Sequence, residues 1–337
     1  MNINKAKELG YDKVYFTFDC IGDTILLMSG LKYIYEKEKK RILVGTYYKE
    51  LLENCDYIEI LDDFCEDIFD KKVYDELIKN GIQPIFISAT DFINENDKIR
   101  PIWGKYHILA NVCSKLGVES EIQISPEFYL TEKEKQNGRF FEKAQIAIVS
   151  AGNQRYKAIP YEMAQQIVNE LNDKYGFVQV GSPSDPVISG VLDKRGKGGL
   201  RGTASILYNS DLYVGGIGGL MHMARAVECK SVIAFSRAEP IALENYICNI
   251  NVIPKRKCCT LCGDNVQFPY LSTCHNDYSC IRNIDVKDVI NAVEVQINNR
   301  NRNVEVERMF VPSKKVSGIE DYIRRFGEIR WWSVRFP

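Results

Sequence analysis

Twice along this chain, apolar strand-like runs alternate with helix-like runs, and in each half a glycine-bearing turn joins a strand directly to a helix. Such alternation constrains the fold to α/β units in which a parallel sheet is covered by helices. The first series is KVYFTF, TILLMSGLKYIYEKEK, RILVGTYY, KELLENC, YIEIL, DIFDKKVYDELIKNG and IQPIFIS. The second starts at QIAIVSAG and continues through PYEMAQQIVNELNDK, GFVQVGS, TASILYNS, DLYVGG, GLMHMARAVE and KSVIAFS. Residues 101–123 read as mostly helical, with Leu109, Val112, Cys113 and Leu116 on one apolar face. Between the series lies LTEKEKQNGRFFEK, residues 130–143, too polar for a core element and read either as the crossing between domains or as a solvated helix. The 337 residues suit two cores of about 150 residues each. We therefore expect a first α/β domain over 1–143, a second over 144–300, and a tail over 301–337 that packs back on them.

Composition narrows the partners. A net charge of −1 gives no reason to expect nucleic acid. No apolar run approaches the roughly 20 residues that span a bilayer, and the opening MNINKAKELGYDK has no signal-peptide core, so a cytoplasmic protein without a transmembrane segment is expected. The tail carries Arg324, Arg325, Arg330, Trp331, Trp332 and Arg335, a basic aromatic end that fits packing back over the domains and, as alternatives, contact with nucleic acid or peripheral contact with a membrane.

Three constellations carry chemistry. In FDCIGDTILLMSG, Asp23 follows Gly22 at the turn from strand to helix. It fits a helix cap that complements the dipole, and equally a general base at the carboxyl end of a parallel strand, where open α/β sheets bind ligands. In VGGIGGLMHMARA, Gly215, Gly216, Gly218 and Gly219 let the backbone approach a ligand closely, ahead of a helix opening with Leu220, Met221 and His222. A helix N-terminus after such a turn favours phosphate; the alternative is a turn that only packs helix on strand, with His222 buried and hydrogen-bonded. In SAGNQRYKAIP, a strand ends in small residues including Gly152, and Lys157 follows as a cation able to offset charge on a departing phosphate.

Eleven cysteines in a reducing compartment read as thiols or metal ligands before disulfides. Five of them fall within residues 258–280. The spacing Cys259-x2-Cys262-x11-Cys274-x5-Cys280 offers four thiolates for a closed tetrahedral site, with zinc expected and iron the alternative. Cys258 and His275 are spare donors, and reduced thiols or a facultative disulfide also fit the spacing.

Taken together, GDTILLMSGLKYI, KAIPYEMAQQIVNEL, GFVQVGSPSD, LRGTASILYNSDLYVGGIGGLMHMARAV and KSVIAFS resemble the ADP-heptose heptosyltransferases of glycosyltransferase family 9, over residues 20–290. The resemblance implies a GT-B fold, two Rossmann-like domains facing across a cleft, and an inverting glycosyltransferase moving a heptose or related sugar from an ADP-sugar to a glycan or protein acceptor. By the same resemblance Asp23 deprotonates the acceptor hydroxyl and Lys157 contacts donor phosphate, with Ile159 where the family has Trp. His222 and the amides of Gly218, Gly219 and Leu220 contact the diphosphate. The expected donor-binding set is Gly22, Gly152, Gly216, Gly218, Gly219, Leu220 and His222, and no catalytic metal is implied. Ile217 stands where the family has an aspartate that bonds sugar hydroxyls, as is common in the similar subgroup that modifies autotransporter proteins, whose late cysteine loops bind iron. Two other readings share the fold: a non-catalytic nucleotide-sugar-binding scaffold, and a sugar-nucleotide epimerase.

Overall fold

A computed structural model of the chain describes residues 1–17, 20–62, 71–89, 91–95, 98–102, 106–150, 155–236, 241–255, 277–299 and 307–311. The first unit runs α1 (Ile3–Glu8), β1 (Lys13–Phe16), α2 (Ile21–Glu38), β2 (Ile42–Val44), a 3-10 turn (Lys49–Leu51), β3 (Ile58–Ile60), α3 (Lys71–Lys79) and β4 (Gln83–Phe86). A hairpin of β5 (Asp91–Glu95) and β6 (Lys98–Ile102), then α4 (Ile108–Lys115) and β7 (Ser120–Gln123), complete it. Its main sheet has four parallel strands in the order β3-β2-β1-β4.

After α5 (Glu132–Lys135) the second unit runs β8 (Gln145–Ile148), α6 (Tyr161–Leu171), β9 (Gly176–Gln179), β10 (Leu192–Asp193), α7 (Gly199–Tyr208), β11 (Leu212–Gly216), α8 (Gly219–Ala226) and β12 (Ser231–Ala234). It closes with α9 (Ile241–Glu244), β13 (Ile250–Val252), α10 (Ser279–Arg282) and α11 (Val286–Asn298). Its six parallel strands lie in the order β10-β9-β8-β11-β12-β13, which counted within the sheet is 3-2-1-4-5-6, the dinucleotide-fold order. Strands β8, β9, β11 and β12 are buried at every residue, as expected of a parallel sheet covered on both faces. A last strand, β14 (Arg308–Val311), returns to pair antiparallel with β7 of the first unit.

In both sheets the strand order reverses beside the first strand, between β1 and β4 and between β8 and β11. Ligands of open α/β sheets bind outside the carboxyl ends at such switch points. The turn bearing Asp23 follows β1, the segment bearing Lys157 follows β8, and the glycine turn follows β11.

The stretch expected to be helical over 101–123 is helical only over Ile108–Lys115. Pro101 lies in β6, and Gly117 at φ +79° ends the helix two residues past α4. Leu109, Val112 and Cys113 are buried as the apolar face requires. They meet α2 where Gly30 has no side chain: a Cβ there would stand 2.8 Å from Leu116 Cδ1. Among the described residues no helix is long and apolar enough to cross a membrane.

The charged run at 130–143 forms the short helix α5, closed by a reciprocal capping box between Thr131 and Glu134, and it docks on α7. Arg201 of α7 binds the Glu134 carboxylate through Nε (2.5 Å) and Nη2 (2.7 Å). The same guanidinium donates to the carbonyls of Glu50 (3.0 Å), Glu53 (3.3 Å) and Tyr129 (2.7 Å). Glu50 in turn accepts the Leu200 amide at the start of α7, at 3.0 Å. Arg201 thus ties the loop after β2 and the segment before α5 to the second unit, with its donors spread over five acceptors.

Removing a buried guanidinium leaves carbonyls and a carboxylate without their donors. We expect Arg201→Ala to lower unfolding free energy by about 3 kcal/mol or more in urea titrations. The Arg201 bond holds the Glu134 carboxyl at about 2, below its ordinary 4.5. A depressed carboxyl stabilises the fold fully above its unfolded value, so this contribution is present above pH 4.5 and is lost as pH falls through about 2. Arg201→Ala should flatten that part of the acid-unfolding profile, and an unchanged profile would contradict the assignment.

Candidate active site

The two units meet through the starts of α2 and α8. Helix α2 begins at Ile21, after the extended Cys20, whose side chain makes no cap. Asp23 therefore lies inside the first turn rather than at the cap, where its carboxylate complements the helix dipole. Helix α8 begins after Gly218, whose φ of +145° suits glycine alone, and no acidic residue lies in its first turn. The Met221 and His222 amides bond the Gly218 carbonyl, so the Gly219 and Leu220 amides precede the helical ladder and point along the axis.

Two glycines allow this contact. A Cβ on Gly22 would lie 2.9 Å from His222 Cδ2 and 3.4 Å from Gly219 Cα. A Cβ on Gly219 would lie 2.8 Å from Ile21 Cβ and 3.1 Å from the Gly22 amide nitrogen. The Gly22–Asp23 turn is thereby brought against the glycine turn and His222, although they are about two hundred residues apart in sequence. Around Gly218, by contrast, no atom of the described residues beyond its chain neighbours and its own helix backbone lies within 4 Å of where a Cβ would stand.

Gly216 performs a different task. A Cβ there would stand 1.7 Å from the Lys157 carbonyl oxygen and 3.2 Å from the Ile159 amide nitrogen. The missing side chain makes room for the segment that carries Lys157. That lysine, one-fifth exposed, pairs with the buried Glu244 carboxylate at 3.2 Å. The other Glu244 oxygen lies 3.7 Å from His222 Nε2. His222 Nδ1 meets the Tyr246 hydroxyl at 2.6 Å. Burial, and then the Glu244 carboxylate, push the Tyr246 phenol well up, so it stays protonated and donates to Nδ1. The His222 tautomer carrying its proton on Nε2 then faces Glu244. Glu244 is the carboxylate through which the Lys157 ammonium and the His222 ring are linked.

The first unit closes on this chain through His107. Its ring packs on Tyr246 with centroids 5.0 Å apart, and its Nδ1 caps α4 by accepting the Leu109 amide at 3.2 Å. Burial, and then His222, hold His107 down at about 3, so it is neutral in the folded protein. Two of the three histidines of the chain thus flank one tyrosine across the boundary between the units.

Of the residues singled out from sequence, Asp23, Gly22, Gly218, Gly219, Leu220 and His222 gather at the paired helix starts, with Gly216 behind Lys157. Gly152, Cys259, Cys262 and Cys274 lie outside the described residues. Cys280 is buried on α10, beside Ile281. Ile217 is 6% exposed and belongs to the core, so it offers no polar group to a ligand. Glu244, Tyr246 and His107 went unread in the sequence. The one signal for Glu244 was an acid shortly after the apolar run KSVIAFS, at the carboxyl edge of its sheet.

No protein-family model matches the sequence, and no curated protein matches it. Solved structures do match. The fold is similar to that of a glycosyl transferase family 9 protein from Veillonella parvula, at 14% identity and a TM-score of 0.60, over 86% of this chain and 98% of that one. It is similar to TibC, an iron-containing dodecameric glycosyltransferase of enterotoxigenic Escherichia coli, at 13% identity and a TM-score of 0.63, over 86% and 76% of the two chains. It is also similar to the E. coli ADP-heptose LPS heptosyltransferase II, at 11% identity and a TM-score of 0.61, over 85% and 98%. The class of fold is therefore settled: the chain has the GT-B architecture of these structures, with two Rossmann-like units.

Because its Cβ would collide with the Lys157 backbone, Gly216→Ala must displace that segment. The expected cost is about 1–3 kcal/mol in urea unfolding. A variant as stable as the parent would contradict the contact.

Proposed function

We propose that this protein is an inverting glycosyltransferase that moves a sugar from a nucleoside-diphosphate donor to a hydroxyl of a glycan or protein acceptor. The observation that carries the reading is the meeting of the α2 and α8 starts, which brings the turn that bears Asp23 against the glycine turn ahead of α8. Two converging positive helix ends favour a diphosphate, and α8 has no acid of its own in its first turn to compete for the place.

Asp23 takes the acceptor proton as the acceptor oxygen bonds to the anomeric carbon. The bond from that carbon to the phosphate oxygen breaks, and the electron pair leaves with the nucleoside diphosphate. The Gly218, Gly219 and Leu220 amides and the Lys157 ammonium stabilise the negative charge that grows there. Glu244 holds Lys157 from behind, and His222 and Tyr246 fix Glu244. An ADP-sugar is the favoured donor, supported by the likeness to an E. coli heptosyltransferase solved with ADP and to TibC solved with ADP-D-β-D-heptose. Ile217 supplies no hydrogen bond to the sugar, so recognition of its hydroxyls falls to other residues.

For the cysteine set we propose a structural metal, zinc or iron, held by Cys259, Cys262, Cys274 and Cys280. Support comes from the spacing, from the 2% exposure of Cys280, which is the shielded setting a closed thiolate site uses, and from the iron in TibC. Among the described residues, which include Cys280 but not the other three cysteines, there is no group of three His, Cys, Asp or Glu that could hold an ion.

Two measurements test these proposals. With ADP-sugars and a mixed acceptor extract, Asp23→Ala should cut transfer by about 10³-fold while ADP affinity stays near that of the parent; undiminished transfer would refute the base assignment. Elemental analysis of the purified chain should find about one zinc or iron per molecule, lost in Cys262→Ser. A metal-free parent that folds normally would remove the metal site.

A further inference from the structure

Helix α8 carries a second cation that the site does not use. Arg225 stands three residues beyond His222, on the same side of the helix. It is 2% exposed, its Nη2 has no hydrogen-bond partner, and no carboxylate of the described residues pairs with it. Glu244, the buried acid on the segment that His222 faces, is already engaged by Lys157 and His222. Arg225 does lie in the last turn of α8, against the negative end of the helix dipole. That end amounts to about half a charge, which offsets only part of a buried guanidinium.

Other unpartnered donors lie in the same layer. Burial, and then Glu244, push the Tyr246 phenol up, and burial pushes the Cys248 thiol up; the Arg225 cation opposes both rises, which sets it beside the 246–248 segment. In the sheet Val232 lies beside Ile250 and Ile233 beside Asn251. Ser231 and Asn249, one position earlier, therefore turn to the face shared by Ile233 and Asn251. That face looks toward α8. Asn251 Nδ2 donates to Asn245 Oδ1 at 2.5 Å, and Asn245 lies between Glu244 and Tyr246, which both meet His222. The Ser231 hydroxyl and Asn249 Nδ2 are buried without a hydrogen-bond partner, like Arg225 Nη2. Asn249 Oδ1 accepts the Cys248 thiol at 3.5 Å, so the amide nitrogen is the group left to donate.

We propose that Arg225 holds a small monovalent anion of the halide class, with the Ser231 hydroxyl and the Asn249 amide as its further donors. Donors without an acid among them call for a pure acceptor, and one guanidinium charge calls for one negative charge. Because these donor atoms are closed off from solvent, the anion must be compact, and a weak base such as chloride stays ionised there. Asn251 Oδ1, also buried and unpartnered, is an acceptor and meets the anion only through a water that donates to both. Arg225 follows the first residue of α8 by six positions, about 9 Å along the axis, so this site is separate from the diphosphate seat and independent of the transferase reading.

Thermal unfolding of the full chain in mixtures of sodium chloride and sodium gluconate at constant ionic strength tests this, gluconate being too large for the site. Raising chloride from about 1 mM to about 300 mM should lift the Tm of the parent by about 4 °C or more, with bromide able to replace chloride. In Arg225→Met the dependence should vanish, and in Ser231→Ala it should need about tenfold more chloride. A parent indifferent to chloride, or an equal chloride response in a folded Arg225→Met protein, would overturn the proposal. Should Arg225→Met not fold, crystals of the parent grown in bromide decide: an anomalous bromine peak within hydrogen-bond distance of the Arg225 guanidinium sustains the site. Bromine peaks elsewhere only, or a carboxylate of the chain against Arg225, would refute it.

Discussion

The contact between Gly22 and Gly219 is the constraint on which the site depends. Each residue is the second or first of its helix, and each lacks the one atom that would hold the helices apart. Two helix starts at this distance repel through their aligned N–H groups, and folding must bear that cost. Asp23 in the first turn of α2 offsets part of it. The remaining positive potential, concentrated at α8, is what a diphosphate would neutralise. The same geometry that is unfavourable in the empty protein is therefore favourable for an anionic donor.

Around that contact the two units are held by polar groups with long sequence separations. Arg201 gathers acceptors from Glu50, Glu53, Tyr129 and Glu134. Behind the paired helix starts, Lys157, Glu244, His222, Tyr246 and His107 form a continuous chain from the second unit into the first. Glu244 is buried with a cation on one oxygen and an imidazole near the other, an arrangement that leaves it little freedom to reorient. On the proposed reading, fixing Lys157 in this way would let its charge act on a leaving phosphate without first reorganising, which is how preorganised electrostatics lowers a barrier.

The alternation of strands and helices was legible because parallel strands buried on both faces read as continuous apolar runs, such as QIAI and LYVG, and because glycine clusters mark where a strand turns into a helix. The Asp23 turn and the 214–222 turn were legible for the same reason. The start of α2 was not: Cys20 offers no capping hydrogen bond, so nothing in the sequence marks Ile21 as the first helical residue. The span 101–123 misled because the apolar spacing of Leu109, Val112 and Cys113 is that of a helix, while Pro101 and Gly117 cut it short on either side. Glu244, Tyr246 and His107 were hidden because each acts through partners far away in sequence, and no local pattern records such a pairing. The proposed ligands Cys259, Cys262 and Cys274 were legible from their spacing in the sequence and lie outside the described residues.

The central claim is that an anionic diphosphate is seated where the α2 and α8 starts meet. Calorimetric titration of ADP into the parent and into Gly219→Val tests it, since a valine there must push Ile21 and Gly22 away from α8. The account predicts that the parent binds ADP and that the variant, still folded by circular dichroism, loses about a hundredfold in affinity, the scale of several charge-assisted hydrogen bonds. Equal ADP affinity in a folded Gly219→Val protein would contradict it.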